Sequence, residues 1–287
     1  MKKMNNQTEL KTASEVLVNS GIGFNVVSSN VYDGQGKQLE DYKAIQREDT
    51  GHTFQVSKQG YTIIKNSEAL SVLDEVVGSG MAKYSGAKAF KNGAVCFIRA
   101  DVPQLETSIA GDEIKAYLYA VTSHDGSIAN MLFAHQQRLI CRNLLTSGGI
   151  ASQFKFKHTA NYRLKIQDAI EVFAKYRVIF NKQKEAFEAM ARIQFNSLKL
   201  DSFLNELLGI VDSEENSTRV LNQKRELERL FVDGIGHEKI AGTAWAAYNA
   251  VTQYVDHERG TENNREFSSI FGSGANLRDK AFALLAR

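Results

Sequence analysis

Two short turn signals, each caught between runs of β-branched and aromatic residues, constrain this chain more than any other feature. The first is Lys91-Asn92-Gly93, between residues 82–90 and 94–100. The second is Ser123-His124-Asp125-Gly126-Ser127, between residues 114–122 and 128–134. Asn-Gly and Asp-Gly accept the positive φ angles of tight turns, so each pair of runs is expected to fold back antiparallel. Residues 53–66 read as a further hairpin or a single extended segment. Beyond the second hairpin the apolar pattern continues through HQQRLICRNLL, where strand is expected to give way to helix near Arg138. Residues 112–145 therefore read as a hairpin-to-helix cassette, closed by Gly148-Gly149.

The second half of the chain changes period. Residues 161–196 predict one long helix, with Ile166, Ile170, Phe173, Phe180, Phe187 and Met190 near one stripe. Lys165, Lys175, Lys182 and Lys184 occupy much of the remainder. Shorter helices are expected over residues 11–17, after Asn66 or Ser67 as caps, after Asp201 or Ser202, over 214–232 and 243–258, and from about Ala275. The expected fold class is α+β. A β-hairpin-rich domain over 1–152 carries the hairpin-to-helix cassette, and a helical domain over 153–287 packs on it.

The chain's 287 residues, 43% of them hydrophobic, can bury the core of one large or two modest domains. Pro103 is the sole proline, which argues against proline-rich linkers. Cys96 and Cys141 lie far apart without a CxxC partner, so no zinc site or disulfide framework is expected, as suits a reducing cytosol. The first ten residues are polar, and no run approaches the ~18–20 apolar residues of a spanning helix. The expectation is a cytoplasmic protein without a membrane partner. Its formal net charge of +2 conceals a strong asymmetry: residues 135–200 hold 12 Lys/Arg against 4 Asp/Glu, whereas 201–240 hold 5 against 9. A contiguous basic stretch is either an electrostatic footprint for a polyanion or a solvated helix face.

Within that stretch, Gln153-Phe154-Lys155-Phe156-Lys157-His158 alternates aromatic and basic residues, and Tyr162, Arg163 and Lys165 follow. An extended backbone would put Phe154 and Phe156 on one face and Lys155 and Lys157 on the other. Single-strand binders use such residues, stacking bases on aromatic faces while cations track phosphates. The alternative is that the phenylalanines anchor a linker to the core. Arg138 and Arg142, four apart on the expected helix, would add two cations on one face. The candidate nucleic-acid-binding set is thus Arg138, Arg142, Lys155, Lys157, Arg163 and Lys165 for phosphates, with Phe154, Phe156 and Tyr162 for bases.

Other candidate chemistry is thinner. His124 and Asp125 sit at a hairpin tip, a candidate contact point, but adjacent turn residues point apart and no nucleophile motif surrounds them. His257 lacks an i+4 histidine partner and reads as a helix-end charge. Gly272-Ser273-Gly274 precedes a helix without the lysine of a phosphate-binding loop, so turning and capping is favoured. No metal or cofactor is expected. A metal-dependent nuclease using His124, Asp125, His257 and nearby carboxylates is kept as an alternative.

GYTIIKNSEAL, the AKY and KNG segments, AGDEIKAYLYAVTSHDGS, RLICRNLL, TAWAAYNAVTQYVDHE and FGSGANLRDKA follow one another in that order. With these motifs the chain resembles a phage/plasmid-like protein family catalogued as a domain of unknown function. The resemblance implies a gene of phages, plasmids or integrative elements in a bacterial host cell, and no particular reaction. In outline, hairpins leading into a helix beside basic charge are similar to phage single-strand annealing proteins of the lambda Beta type. Those proteins assemble as rings or filaments around single-stranded DNA. The combined expectation is a non-enzymatic, homo-oligomeric single-stranded DNA-binding protein supporting recombination or replication. A protein-binding accessory or anti-defence factor, with a host or phage protein as partner, is the main alternative.

Overall fold

The computed structural model describes residues 11–146, 154–156, 169–211 and 216–287. Two compact units emerge, and neither is one continuous half of the chain. The first comprises Met1–Gln104, Tyr117–Ala134 and Ser152–Tyr176; the second comprises Leu105–Ala116, His135–Ala151 and Arg177–Arg287. A division at 152 therefore captures only one of several crossings. Two long strands, β7 (Asp112–Ser123) and β8 (Asn130–Arg138), each begin in one unit and end in the other.

The first unit opens on α1 (Ala13–Asn19), started by a capping box in which the Thr12 hydroxyl accepts from the Glu15 amide. A three-stranded antiparallel meander follows, β1 (Val26–Tyr32), β2 (Gln38–Arg47) and β3 (Thr53–Lys58). The Asp33 carboxylate shapes the first turn by accepting from the Gln35 and Lys37 amides. Strands β1 and β2 carry no clear signal in the sequence, because their residues are largely polar and half-exposed. Short helices α2 (Asn66–Leu70) and α3 (Asp74–Gly78) lead into β4 (Lys83–Phe90) and β5 (Val95–Asp101). At the intervening turn Lys91, Asn92 and Gly93 all have positive φ, as the Asn-Gly signal demands.

The larger sheet has the order β4-β5-β7-β8-β9, where β9 is Phe154–Phe156, and β6 (Thr107–Ile109) pairs with the first residues of β7. Within the first unit its centre is buried on both sides, so β5 and β7 read as near-continuous apolar runs. Phe90, Phe97, Tyr119 and Phe133, from four adjacent strands, form a ladder of rings 5.1–5.8 Å apart. Ring pairs across strands give the register an energetic preference beyond area alone.

The second unit is mainly helical: α4 (Ala169–Arg192, from Arg177 onward), α5 (Ser197–Leu208), α6 (Thr218–Asp233), α7 (Ala244–Gln253), α8 (Glu262–Phe271) and α9 (Ser273–Leu285). Every residue of α7 is buried; Tyr248 stacks on Phe187 of α4 at 5.7 Å, and Trp245 packs against the same ring at a tilt, 4.9 Å away. On α4, Gln183, Phe187 and Met190 follow the three-four spacing of a core-facing stripe. The expected helix at residues 138–145 is absent. Arg142 adopts φ 57°, the Arg138 amide donates to the Asn143 carbonyl, and the Leu145 amide donates to the Gln136 carbonyl. The chain thus doubles back on the end of β8, using the backbone groups that a helix would have needed. The mixed α+β class stands, with a turn in place of the cassette's helical end.

Candidate nucleic-acid interface

The helix α4 separates its apolar stripe from its cations. In the second unit Arg177, Lys182 and Arg192 are exposed and form no ion pair among the described residues, and Lys184 reaches only Glu188, at 3.8 Å. Arg177 and Lys184 are seven residues apart, two turns of helix, and so lie on one side. Lys199, on α5, is exposed and donates to the Gln194 carbonyl. Arg142 is exposed at its left-handed turn. Arg142, Arg177, Lys182, Arg192 and Lys199 therefore stay in solvent, where they can meet a polyanion.

In the first unit, β9 pairs antiparallel with β8, placing Lys155 opposite Met131 and Phe154 opposite Leu132. Lys155 is exposed, whereas Phe154 packs against Ile64 and Ala69. Phe154 thus anchors the strand rather than presenting an open ring, while its neighbour Lys155 faces solvent. Phe156 lies on the same strand, opposite Asn130. Lys157, Tyr162, Arg163 and Lys165 lie outside the described residues. Lys175 is exposed on the part of α4 that belongs to this unit.

Arg138 leaves the phosphate-binding set. Its side chain is fully buried, with Nε and Nη2 donating to the two Asp112 carboxylate oxygens at 2.7 and 2.9 Å. Nη1 and Nη2 also donate to the Ile235 and Gly236 carbonyls, and the Trp245 indole donates to Asp112 at 3.1 Å. A guanidinium whose donors are filled this way has nothing left for phosphate. The same turn that abolishes the expected helix places Arg138 inward and Arg142 outward, so the two do not share a face.

His124 is likewise no exposed contact. Its ring is buried, Nε2 donates to the Asn66 side-chain oxygen at 2.7 Å, and the ring stacks on Phe54 at 5.6 Å. Asp125 remains partly exposed and organises the tip. It accepts from the Ser123 and Ser127 hydroxyls and the Ser127 amide, and pairs with Lys91 at 3.1 Å. Burial alone would raise its pKa, but these hydrogen bonds outweigh it and hold the carboxyl down at about 2. Lys91 belongs to the Asn-Gly turn, so the two hairpin tips that dominate the sequence are tied to each other. A carboxyl held down in this way stays ionised at neutral pH, which suits a structural tie and not a general base.

Sequence reading missed the buried polar centre of the second unit. Arg278 is fully buried; it donates to the Leu144 carbonyl at 2.8 Å, bonds Ser269, and stands 3.8 Å from Asp256. The Thr146 amide donates to the Tyr248 hydroxyl and its own hydroxyl donates to Asp279. His135 donates from Nδ1 to the Leu145 carbonyl; burial, with Arg278 nearby, pushes its pKa down to about 3. His257 bonds the Cys141 carbonyl at 2.8 Å through Nε2, which makes it a brace for the turn. A signal was present: Asn249, Thr252 and Asp256 are polar residues in or just after an otherwise apolar helix, where solvation cannot satisfy them. Gly274 also has a packing role, since a Cβ there would stand 2.8 Å from Val255. Among the described residues, no group of three or more His, Cys, Asp or Glu is placed to hold a metal ion.

These features define a mixed α+β protein whose sheet and helical core are held by buried ionic groups. Residues 53–273, well over half of the chain, match the family model described as a domain of unknown function (DUF932), and the chain belongs to that family. No curated protein and no solved structure matches it. Among the described residues no helix is long and apolar enough to cross a membrane.

Proposed function

We propose that this chain is a single-stranded nucleic-acid-binding protein of a phage, plasmid or related mobile element. It acts in the cytoplasm by binding rather than by catalysis, as a homo-oligomer supporting recombination or replication. The observation that carries this reading is the solvent-facing, largely unpaired set Arg177, Lys182 and Arg192, with Lys184 beside them on α4. Lys155 and Lys175 of the first unit and Arg142 and Lys199 of the second extend the basic character of the same chain segment. Exposed cations along an element supply the sequence-independent part of nucleic-acid affinity.

The test is fluorescence anisotropy with a labelled single-stranded oligonucleotide at two salt concentrations. Binding at micromolar concentration or tighter is expected in 50 mM salt. If about four phosphates are neutralised, affinity falls about 50-fold on going to 200 mM. Absence of binding at the lower salt sinks the proposal.

A second reading draws on exposed apolar side chains of the second unit. Ile140, Val232 and Ile235 are 55%, 70% and 46% exposed, enough to serve a protein partner instead. A host or phage protein retained at stoichiometric level after nuclease treatment of a lysate would favour it.

A further inference from the structure

The first unit contains a cleft of about 200 Å³ formed by α1, the Gly23–Asn25 segment and the first residues of α2. Leu17, Val18 and Phe24 supply apolar wall, and Ser14, Asn25 and Ser67 supply hydroxyls and an amide. Lys65 supplies the single positive charge; its ammonium is exposed and joins no ion pair among the described residues. This combination suits a small ring that carries one anionic group. The volume lies below the ~300–1,000 Å³ of sites that enclose a drug-sized ligand, so it fits one ring and not two.

The walls are held in place before any ligand arrives. The Arg47 guanidinium lies 4.0 Å from the centre of the Phe24 ring and bonds both Asp49 and the Asn92 carbonyl. Gly93 leaves room for the same ring, because a Cβ there would stand 2.6 Å from its tip. On the other side, Asn66 is buried, donating to the Ile22 carbonyl and accepting from His124. Both turn signals of the sequence thus end on residues of this cleft. Rigid walls lower the ordering cost of binding.

We infer that the cleft takes one nucleotide residue, its ring against Leu17, Val18 and Phe24 and its phosphate at Lys65. The inference rests on the nucleic-acid reading for the ligand's class, and it adds a base-recognition pocket to the phosphate-binding cations. The same chemistry serves a free nucleoside monophosphate or one residue of a strand.

The experiment compares the wild-type chain, Val18→Trp, Lys65→Gln and Lys182→Glu/Lys184→Glu. Each is titrated with labelled oligothymidylate by anisotropy, and with thymidine monophosphate and inorganic phosphate by NMR. Val18 is 75% exposed, so a tryptophan there fills the cleft without entering the core, and thermal unfolding verifies the fold of each variant. Val18→Trp is expected to weaken the oligonucleotide about tenfold and to abolish monophosphate binding. Lys65→Gln weakens both ligands, and inorganic phosphate binds at least tenfold more weakly than the nucleotide. Lys182→Glu/Lys184→Glu weakens the oligonucleotide and leaves the monophosphate unchanged. Unchanged affinities in Val18→Trp, or phosphate binding as well as the nucleotide, overturns the inference while leaving the α4 reading intact. If the wild type ignores the oligonucleotide yet binds the monophosphate in a Val18→Trp-sensitive way, the α4 reading falls and the cleft stands as a free-nucleotide site.

Discussion

Arg138 and Lys182 belong to the same basic stretch and have opposite fates. Arg138 is fully buried against Asp112, so Arg138→Ala would leave an uncompensated carboxylate inside the second unit. Unfolding in urea is expected to show a loss of about 3–5 kcal/mol. Lys182→Ala, on an exposed helix face, is expected to stay within about 0.5 kcal/mol. Equal losses would contradict the assignment. His135 gives a pH prediction. Its folded pKa, about 3, lies below the roughly 6.5 of a free imidazole. The neutral ring is therefore favoured by folding. Its contribution is fully present above about pH 6.5 and is lost as the pH falls from there towards 3. Denaturant midpoints measured across that window should drop less in His135→Asn than in the wild type.

At the level of elements, both hairpins were legible because turn geometry is a local property. Asn92 and Gly93 must take positive φ, and residues of the required type stand there. Gly93→Ala combines a φ of +102° with a Cβ that would meet Phe24 at 2.6 Å. Thermal unfolding is expected to show destabilisation well beyond the ~1 kcal/mol of an ordinary glycine replacement in a helix or strand. A neutral result would contradict both the left-handed backbone at Gly93 and the close approach of Phe24. Helix α4 was legible for a similar reason, since three-four periodicity needs only neighbours along the chain. The end of β8 was not. Residues 138–145 carry a helix-compatible apolar pattern, yet their amides and carbonyls bond back to β8, and tertiary pairing overrides weak local preference. Strands β1 and β2 were overlooked because one half-exposed sheet face leaves little apolar alternation to read.

On the scale of the whole molecule, charge distribution determines what long-range experiments should detect. Among the described cations of residues 135–200, Arg138 alone is buried, and most of the others are exposed. Replacing Lys182 and Lys184 by glutamate should therefore flatten the salt dependence of oligonucleotide affinity as well as weaken it. If about two phosphate contacts are lost, the slope of log K against log salt falls by about 1.4. A variant with weaker binding but an unchanged slope would place the phosphates elsewhere.

By itself the amino-acid sequence determined the mixed α+β class, both tight turns, the helical second half and the basic stretch. Each of these depends on φ preference, periodicity or net charge, which act between near neighbours. Only the tertiary structure decided which members of the stretch can meet a ligand. Arg138 and His124 are polar residues of the expected kind in the expected places. They became internal ties because Asp112, 26 residues away, and Asn66, 58 residues away, were brought to them by folding. Partner choice across such separations is set by packing and desolvation, and neither is written in the spacing of residues along the chain.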